Sequence, residues 1–271
     1  MPNKNGVLQR CALLIPHYRN VTGLMRSLAS IGTDETVDVF IVDDGSELCL
    51  DEKGLASVFR AMGTVTFIYL PGNQGIAHAL NAGLAKIGQQ YEYIARLDCG
   101  DVCAPDRFQR QMAFLDQHPA VALLGTAVTF VDQRGESGYT LRLPASAALI
   151  RRAMHNNCAF IHPTVMWRSC VMVDVHRYPV DYPMAEDFAF FWLFVQRFAT
   201  ANLPEVLVWA EINPNGLSIR QRQQQLRSRL RLQWHYCQWD RYSLYGMLKT
   251  VLLMIVPYRW VLKLKRQRMK K

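Results

Sequence analysis

Residues 91–111 read YEYIARLDCGDVCAPDRFQRQ, and this stretch indicates the fold class. Its first part, Tyr91–Leu97, is a mainly apolar run with the length of a buried strand. The acidic cluster Asp98–Asp101 ends the strand. Pro105 then opens a helix, in whose first turn Asp106 is favourable. A strand that ends in polar residues and leads into a helix is the unit from which parallel sheets are built.

The same alternation continues on both sides of this stretch. Apolar runs predict strands, and apolar residues with helical spacing predict helices. The expected strands are Cys11–Pro16, Val37–Val42, Val65–Leu70, Val121–Val131 and Val206–Ala210, and the expected helices are Asn20–Ile31, Gln74–Ile87, Phe188–Phe198 and a long helix from Ser218 onward. This order predicts an α/β fold with a mixed, mostly parallel sheet and helices on both faces.

Three polar clusters fall at the carboxyl ends of predicted strands, where such sheets bind ligands. They are His17-Tyr18, Asp43–Ser46 and Asp98–Asp101. Asp and Gly build turns in any protein. Two acidic clusters at one edge of a sheet favour a second interpretation, a hard cation shared with a phosphate. The first strand is not followed by G-x-G-x-x-G, and the sequence has no G-x-x-x-x-G-K-[ST], so neither a dinucleotide site nor a P-loop is supported.

Six motifs together resemble the family 2 glycosyltransferases, which have the GT-A fold. They cover about residues 9–225 in the family's order: IPHYRN at 15–20, VDDGS at 42–46, NQGIAHALNAG at 73–83, IARLDCGDVCAPDRFQRQ at 94–111, IHPTVMWR at 161–168 and AEDFAFFWLF at 185–194. The resemblance implies an inverting hexosyltransferase that uses a nucleotide-diphosphate sugar, with UDP commoner than dTDP. The acceptor would be a hydroxyl of a glycan or lipid-linked molecule in bacterial surface-polysaccharide biosynthesis, lipopolysaccharide included.

The resemblance also implies roles for residues that bind the donor. Pro16 and Tyr18 would line the base pocket, and Asp44 would hydrogen-bond the base. A second group belongs to the motif after the third strand and to the acidic segment; its members are Asn73, Gly75, Asn81 and Asp98. Glycine there lets the backbone approach a ligand closely.

The acidic segment departs from the family's usual Asp-x-Asp-Asp. It reads Asp98-Cys99-Gly100-Asp101, so the carboxylate most often credited with binding metal falls on Gly100. Three alternatives follow. In the first, Asp101 supplies the metal ligand. In the second, the diphosphate mainly holds the metal and Asp98 acts from outside the direct ligands. In the third alternative, metal dependence is weak. We expect the first, with Mn²⁺ or Mg²⁺ on Asp101 and Asp98, because the cysteine sulfur is too soft for these ions. Asp106 and Arg107 more plausibly anchor the following helix than take part in chemistry.

The second half of the chain carries the residues expected on the acceptor side. His162 lies between a polar turn, from His155, and an apolar strand that ends at Trp167. It is either structural or, by resemblance, a contact to the donor phosphate or the acceptor. Glu186 and Asp187 stand in the first turn of an apolar helix, where acidic residues suit the helix dipole. The resemblance implies that Asp187 is the general base and that Glu186 contacts the acceptor.

The charge of the chain is uneven. Residues 217–271 contain 14 Lys and Arg and one acidic residue, whereas the other 216 residues contain 17 basic and 21 acidic residues. The longest uncharged apolar run there, Thr250–Tyr258, has nine residues, too short to span a bilayer. Apolar and basic residues interleaved in this way predict an amphipathic helical segment on an anionic membrane surface. The alternative is a helix that packs on the body. Nucleic acid is disfavoured, because no binding motif accompanies the charge.

These patterns predict two parts: a GT-A domain at 1–216, with a nucleotide-sugar half (1–117) and an acceptor half (118–216), and the basic segment 217–271. Seven scattered cysteines without a CxxC pair, and a start without a signal-peptide pattern, predict a cytoplasmic protein peripheral to the inner face of the membrane. Two other functions stay open: a sugar nucleotidyltransferase, which IPHYRN at 15–20 disfavours by lacking a glycine-rich loop, and a non-catalytic partner in glycan assembly.

Overall fold

The sheet is built outward from β1 (Gln9–His17), in which residues 11–15 are buried. The computed structural model describes residues 9–132, 135–212 and 220–256. Alternate side chains of β1 enter opposite cores: Ala12 and Leu14 face one, and Leu13 and Ile15 face the other. A strand covered on both faces reads as a continuous apolar run, which is why the sequence predicted it well.

The first half of the chain supplies a parallel sheet and its helices. Strands β1, β2 (Asp38–Asp43), β3 (Val65–Tyr69) and β4 (Tyr91–Arg96) lie in the order β3-β2-β1-β4 and are all parallel. The helices between and after them are α1 (Val21–Ala29), α2 (Glu52–Val58), α3 (Ile76–Ile87) and α4 (Arg107–Gln117). Every strand predicted in this half is confirmed within two residues of its ends, and α2 was not predicted.

The sheet continues beyond β4 with strands of mixed direction, most of them from the second half of the chain. The order continues β8-β6-β9-β5, with β7 on β6. Their bounds are β5 (Val102–Cys103), β6 (Val121–Val131), β7 (Ser137–Leu141), β8 (Met166–Arg168) and β9 (Ala199–Glu211). Strand β8 is antiparallel to β4 and β6, and β6 and β9 are parallel. The predicted mixed sheet flanked by helices is confirmed.

Two expectations for the second half were wrong in detail, and two of its helices were not predicted. The strand expected up to Trp167 is a 3-10 turn, His162–Thr164, followed by the three residues of β8. Strand β9 starts at Ala199 rather than Val206, because the polar stretch before Val206 hid its first half. The helices here are α5 (Ala147–Asn156), α6 (Met172–Val175) and α7 (Glu186–Arg197); only α7 was predicted.

Between residues 220 and 256, the basic C-terminal segment forms two helices, not one. They are α8 (Arg222–His235) and α9 (Arg241–Ile255), and Asp240 caps α9 by accepting a 2.8 Å hydrogen bond from the Ser243 amide. The expected cap of the long helix, Ser218, lies outside the described residues, as does the boundary at 216/217. The division into 1–216 and 217–271 therefore stays a prediction.

Both C-terminal helices pack on α5. The Gln233 side chain donates to the carbonyl of His155 at 3.0 Å, and the Ser243 hydroxyl lies 3.0 Å from Nδ1 of His155. Helix α9 comes so close that a Cβ on Gly246 would lie 2.0 Å from the His155 carbonyl oxygen. Residues 220–256 therefore pack on the body, as in the alternative to a membrane-bound segment, and the contact with a membrane stays a prediction. Within the described part of the chain, no helix has both the length and the apolar character that crossing a bilayer requires.

Candidate active site

The carboxyl ends of β1 and β2 are joined by a buried histidine–aspartate pair. Nδ1 of His17 lies 3.1 Å from Oδ1 of Asp43, and Nε2 accepts the Asn20 amide at 3.1 Å. These two bonds assign the ring proton to Nδ1. The same Asp43 oxygen accepts the Ser46 hydroxyl at 2.6 Å. His17 and Asp43 therefore hold the loops around the predicted base pocket and leave ligand contact to their neighbours.

Asp44, the residue predicted to contact the base, binds the next loop along the sheet. Its two carboxylate oxygens accept the amides of Gln74 at 2.8 Å and Gly75 at 2.9 Å. Gly75 has a φ of 90°, which glycine adopts without strain. Each carboxylate oxygen can accept a further hydrogen bond, so the predicted contact to a base remains chemically possible. It stays a prediction.

The other predicted donor residues of the first half differ in exposure and in their partners. The Tyr18 ring is 41% exposed, with the Arg19 guanidinium 5.0 Å from its centroid, and Asn73 is also exposed. Both can meet a ligand at the end of the parallel strands, next to Pro16. Asn81 is half-buried, and its side-chain amide exchanges two hydrogen bonds with the backbone of Tyr178, at 2.9 and 2.8 Å. These bonds give Asn81 a structural role, and its donor contact stays a prediction.

A buried arginine, Arg96, is the site residue that the sequence analysis missed. It ends β4 without solvent exposure, and its Nη2 lies 2.5 Å from Oδ1 of Asp98. Its other terminal nitrogen donates to the carbonyl of Leu97. Within the part of the chain that is described, its Nε has no hydrogen-bond acceptor. A charged residue inside the apolar run of β4 was the available signal, since buried charges need partners.

Glu186 and Asp187 lie in the first turn of α7 and are both half-buried. Burial, opposed by the amide of Phe188 and reinforced by the charge of Asp98, raises the pKa of Asp187 to about 6. Burial and the neighbouring Asp187 raise the pKa of Glu186 to about 7. The positive charge of Arg96 lowers the pKa of both carboxyls. Two adjacent carboxyls titrating near neutral pH can hold and release a proton.

His162, the other residue considered for the acceptor side, is buried. Its Nε2 is 3.0 Å from the hydroxyl of Tyr178, and its ring meets Phe191 edge-on. Burial, with a contribution from Arg96, keeps the pKa of His162 well below its usual range. Tyr178 in turn stacks on Phe190 at 3.8 Å. The geometry supports the structural alternative for His162. Tyr178, to which both Asn81 and His162 bind, was not anticipated.

The loop at 98–101 is closed by a ring of contacts to α1 and β9. The Arg26 guanidinium donates to the carbonyl of Gly100 at 3.0 and 2.6 Å and forms an ion pair with Glu211. The Ser27 hydroxyl accepts the Gly100 amide at 2.9 Å and donates to the carbonyl of Asp101 at 2.8 Å. Oδ1 of Asp101 accepts the Glu211 amide at 2.9 Å and completes the ring.

These contacts do not suit the metal site predicted at Asp101 and Asp98. Asp101 is buried against β9, and burial with the nearby Asp98 raises its pKa well above the usual range. Gly100 has a φ of 108°, and a Cβ there would lie 3.4 Å from the Arg26 guanidinium. Asp98 already pairs with Arg96. No three His, Cys, Asp or Glu residues of the described ranges form a metal-binding group. The contacts favour a structural role for Asp101, and the expected Mn²⁺ or Mg²⁺ on Asp101 and Asp98 stays a prediction.

The expected anchor of α4 is confirmed for Arg107. Its Nη2 donates to the carbonyl of Arg96 at 2.7 Å, and its Nε donates to Gln111 at 2.9 Å. Asp106 instead forms an exposed pair with Arg110 at 2.7 Å. Glu35, which follows α1, accepts the first amides of α4. These bonds fix the start of α4 under the 98–101 loop.

Comparison with known proteins finds similarity to glycosyltransferases. Residues 13–176 match Glycosyl transferase family 2. An uncharacterized glycosyltransferase of Haemophilus influenzae is 30% identical over 193 residues, which are 70% of this chain and 69% of that protein. The amylovoran biosynthesis glycosyltransferase AmsE of Erwinia amylovora is 29% identical over 211 residues, covering 73% and 76% of the two chains.

Solved structures show the fold. Staphylococcus aureus TarS 1-349 in complex with UDP-GlcNAc superimposes with a TM-score of 0.67 at 15% identity, over 90% of this chain and 72% of TarS. The mannosyltransferase PcManGT of Pyrobaculum calidifontis, solved with GDP-Man and Mn²⁺, gives a TM-score of 0.61 at 17% identity, over 95% and 73%. The likeness extends over both halves of the sheet.

Proposed function

Because the chain belongs to glycosyl transferase family 2, we propose that it moves a sugar from a nucleotide-diphosphate sugar to a hydroxyl of a glycan or lipid-linked acceptor in surface-polysaccharide biosynthesis. AmsE, named for amylovoran biosynthesis, and an Escherichia coli relative named UDP-Gal:alpha-D-GlcNAc-diphosphoundecaprenol beta-1,3-galactosyltransferase support this role. The observation that carries the proposal is the half-buried carboxyl pair Glu186–Asp187 beside Asp98 and Arg96.

Asp187 is the general base in this proposal. Its Oδ1 accepts the Phe188 amide at 2.6 Å, so Oδ2 is the oxygen left to take a proton from the acceptor hydroxyl. A pKa of about 6 leaves the group mostly ionised at neutral pH but more basic than an exposed aspartate, as general-base catalysis requires. The hydroxyl oxygen attacks C1 of the sugar as the bond from C1 to the diphosphate breaks, and a single displacement inverts the anomeric centre.

Glu186 and Asp98 position the two substrates around this step. Glu186, next to the base, would bind the acceptor hydroxyls. Asp98, held by Arg96 at 2.5 Å, would accept hydrogen bonds from hydroxyls of the donor sugar. The apolar start of α7, with Phe188 buried behind the carboxyls, keeps water from competing with the acceptor.

UDP is the donor nucleotide we propose. TarS is solved with UDP-GlcNAc and with UDP, and the Escherichia coli relative is named for UDP-Gal. The exposed Tyr18 ring and Pro16 at the end of β1 provide faces on which a base can stack. The carboxylate oxygens of Asp44 have further lone pairs that can accept a hydrogen bond from an imide N–H. Uracil and thymine both carry this group.

The place of action we propose is the inner face of the cell membrane, with the protein peripheral to it. The support is chemical: residues 217–271 contain 14 Lys and Arg, and α9 exposes apolar side chains such as Leu248 and Ile255. Such a surface suits the headgroup region of an anionic leaflet.

Release of nucleoside diphosphate from a panel of UDP-, dTDP- and GDP-sugars tests the activity without knowledge of the acceptor. We expect slow hydrolysis of one donor and a loss of at least about 100-fold in Asp187→Asn, since general bases contribute about 10²–10⁴-fold. Asp174→Asn, on the exposed face of α6, is the matched control and should be unchanged. Failure of every donor, with no thermal stabilisation by UDP, dTDP or GDP, would instead support the non-catalytic alternative.

A further inference from the structure

A groove lies between α5 and α9, and none of its lining residues belongs to the candidate active site. Its volume is about 560 Å³, and it is open to solvent on one side. The lining of the groove is basic and aromatic, and it includes Leu149, Arg152, Asn156, Arg241, Tyr242 and Tyr245. The close approach of α9 to α5 at Gly246 fixes the two walls relative to each other.

Two positive charges meet in this groove around one ring. The guanidinium carbons of Arg152 and Arg241 lie 5.6 and 4.9 Å from the centroid of Tyr242. Arg241 also donates to the Tyr242 hydroxyl at 2.8 Å. Among residues 9–132, 135–212 and 220–256, no carboxylate forms an ion pair with either arginine. Two such cations close together favour an anion between them.

The groove opens onto an exposed apolar stripe along α9. The stripe consists of side chains at helical spacing that solvent reaches, namely Leu244, Tyr245, Leu248, Val251, Leu252 and Ile255. Tyr245 belongs to both the groove and the stripe. Near the start of α9, Trp234 and Trp239 meet edge-on at 5.5 Å and are 63% and 67% exposed. Exposed tryptophans beside leucines and basic residues are typical of surfaces that enter the lipid headgroup region.

We propose that the α5–α9 groove binds the phosphate of an anionic phospholipid headgroup, with the α9 stripe lying among the acyl chains. The inference rests on the proposed membrane association and names its lipid-binding site. The positive charge of the groove favours an anionic ligand over the other two candidates, the C-terminal residues of this chain and a second copy of it. Residues 257–271 carry seven Lys and Arg and no acidic residue, so they cannot neutralise Arg152 and Arg241. A second copy would bring the same two arginines to the contact.

Flotation of the full chain with vesicles tests the site. The vesicles are phosphatidylcholine alone or phosphatidylcholine with phosphatidylglycerol. We expect wild type to float with the anionic vesicles, and Arg152→Gln/Arg241→Gln to bind them about 30-fold more weakly. Lys53→Gln/Arg60→Gln removes the same charge from exposed residues in and just after α2 and should bind like wild type. Donor hydrolysis and melting temperature should be unchanged in both variants.

Three results would overturn the inference, and they are distinguishable. Equal binding by the groove variant and the α2 control would leave membrane association standing and remove the headgroup site. No flotation of wild type would remove the membrane association as well, while donor hydrolysis still reports on the transferase. A lipid-free dimer that Leu248→Ser/Leu252→Ser dissociates, without flotation of wild type, would show that a second copy covers the stripe.

Discussion

The guanidinium of Arg96 lies 2.5 Å from the carboxylate of Asp98, at the end of a strand where the arginine has no contact with solvent. The pair stands next to Glu186 and Asp187, and the positive charge of Arg96 lowers the pKa of both. Arg96 therefore links the segment expected to bind the sugar to the carboxyls expected to move the proton.

Replacing this arginine should change the pH dependence of turnover. In Arg96→Met the pKa of Asp187 should rise, because the charge that lowers it is gone, and the acid limb of kcat/KM for donor hydrolysis should move to higher pH. Arg96→Lys keeps the charge and should retain more of the wild-type profile. Arg110→Met, in an exposed pair, is the control. An unchanged acid limb in Arg96→Met would contradict the electrostatic link.

Wild-type turnover should itself fall on the acid side of neutrality. Burial raises the pKa of Asp187 to about 6, so the base is lost by protonation as the pH drops through that value. A profile of kcat/KM for donor hydrolysis reports the free enzyme. An acid limb at the pKa of an exposed aspartate, about 4, would show that burial does not tune this group.

Asp187→Asn should be more stable than wild type at neutral pH. The raised pKa means that the folded state binds the proton more tightly than the unfolded state, so stability declines as the pH rises through about 4 to 6. Removing the charge should recover at most about 3 kcal/mol at pH 7, seen as a higher melting temperature. The advantage should shrink at low pH, where wild type is protonated. A variant less stable at both pH values would contradict this.

The backbone conformation at position 100 requires a glycine. With a φ of 108° and the Arg26 guanidinium 3.4 Å from the position of a Cβ, Gly100→Ala should lose about 1–3 kcal/mol of unfolding free energy. Gly72→Ala is the control, because a Cβ there meets nothing within 4 Å. Chemical denaturation measures both. Equal stability of the two variants would mean that the 98–101 loop adapts freely.

Asp101 should act through structure rather than through a metal. Asp101→Asn keeps an oxygen that can accept the Glu211 amide, so its stability and UDP affinity should stay close to wild type, with or without Mn²⁺. Asp101→Ala loses this bond and should be less stable by about 1–3 kcal/mol. Calorimetry of UDP binding in Mn²⁺ and in EDTA measures the effect. A Mn²⁺-dependent UDP affinity that Asp101→Asn abolishes would restore Asp101 as a ligand.

The apolar strands of the first half and the helices α1, α3 and α4 could be predicted from the sequence, because their buried residues recur at the spacing of a strand or a helix. Strand β6 was predicted with its observed bounds, Val121–Val131. The polar start of β9 and the helix α5 lack that pattern and were missed. The break between α8 and α9 was missed too, although Asp240 is a good helix cap.

Candidate site residues could be named from the sequence only where one short motif carries them. The pair Glu186–Asp187 was named because two acids before an apolar helix resemble the family's motif, and its role stays a prediction. The Asp101 carboxylate accepts a hydrogen bond from the amide of Glu211, 110 residues away in the chain. No local sequence pattern indicates such a contact. Asn81 and His162 look like ligand-binding residues in their motifs, but both bind Tyr178, which belongs to none of them.

The central claim, a single displacement with Asp187 as base, is tested most directly by the anomeric form of the first product. Proton NMR in the first minutes of hydrolysis, before the free sugar equilibrates, distinguishes the two anomers. From an α-linked UDP-sugar the account predicts the β anomer, with no product from Asp187→Asn over the same time. Release of the α anomer, or β product at an equal rate from Asp187→Asn, would contradict it.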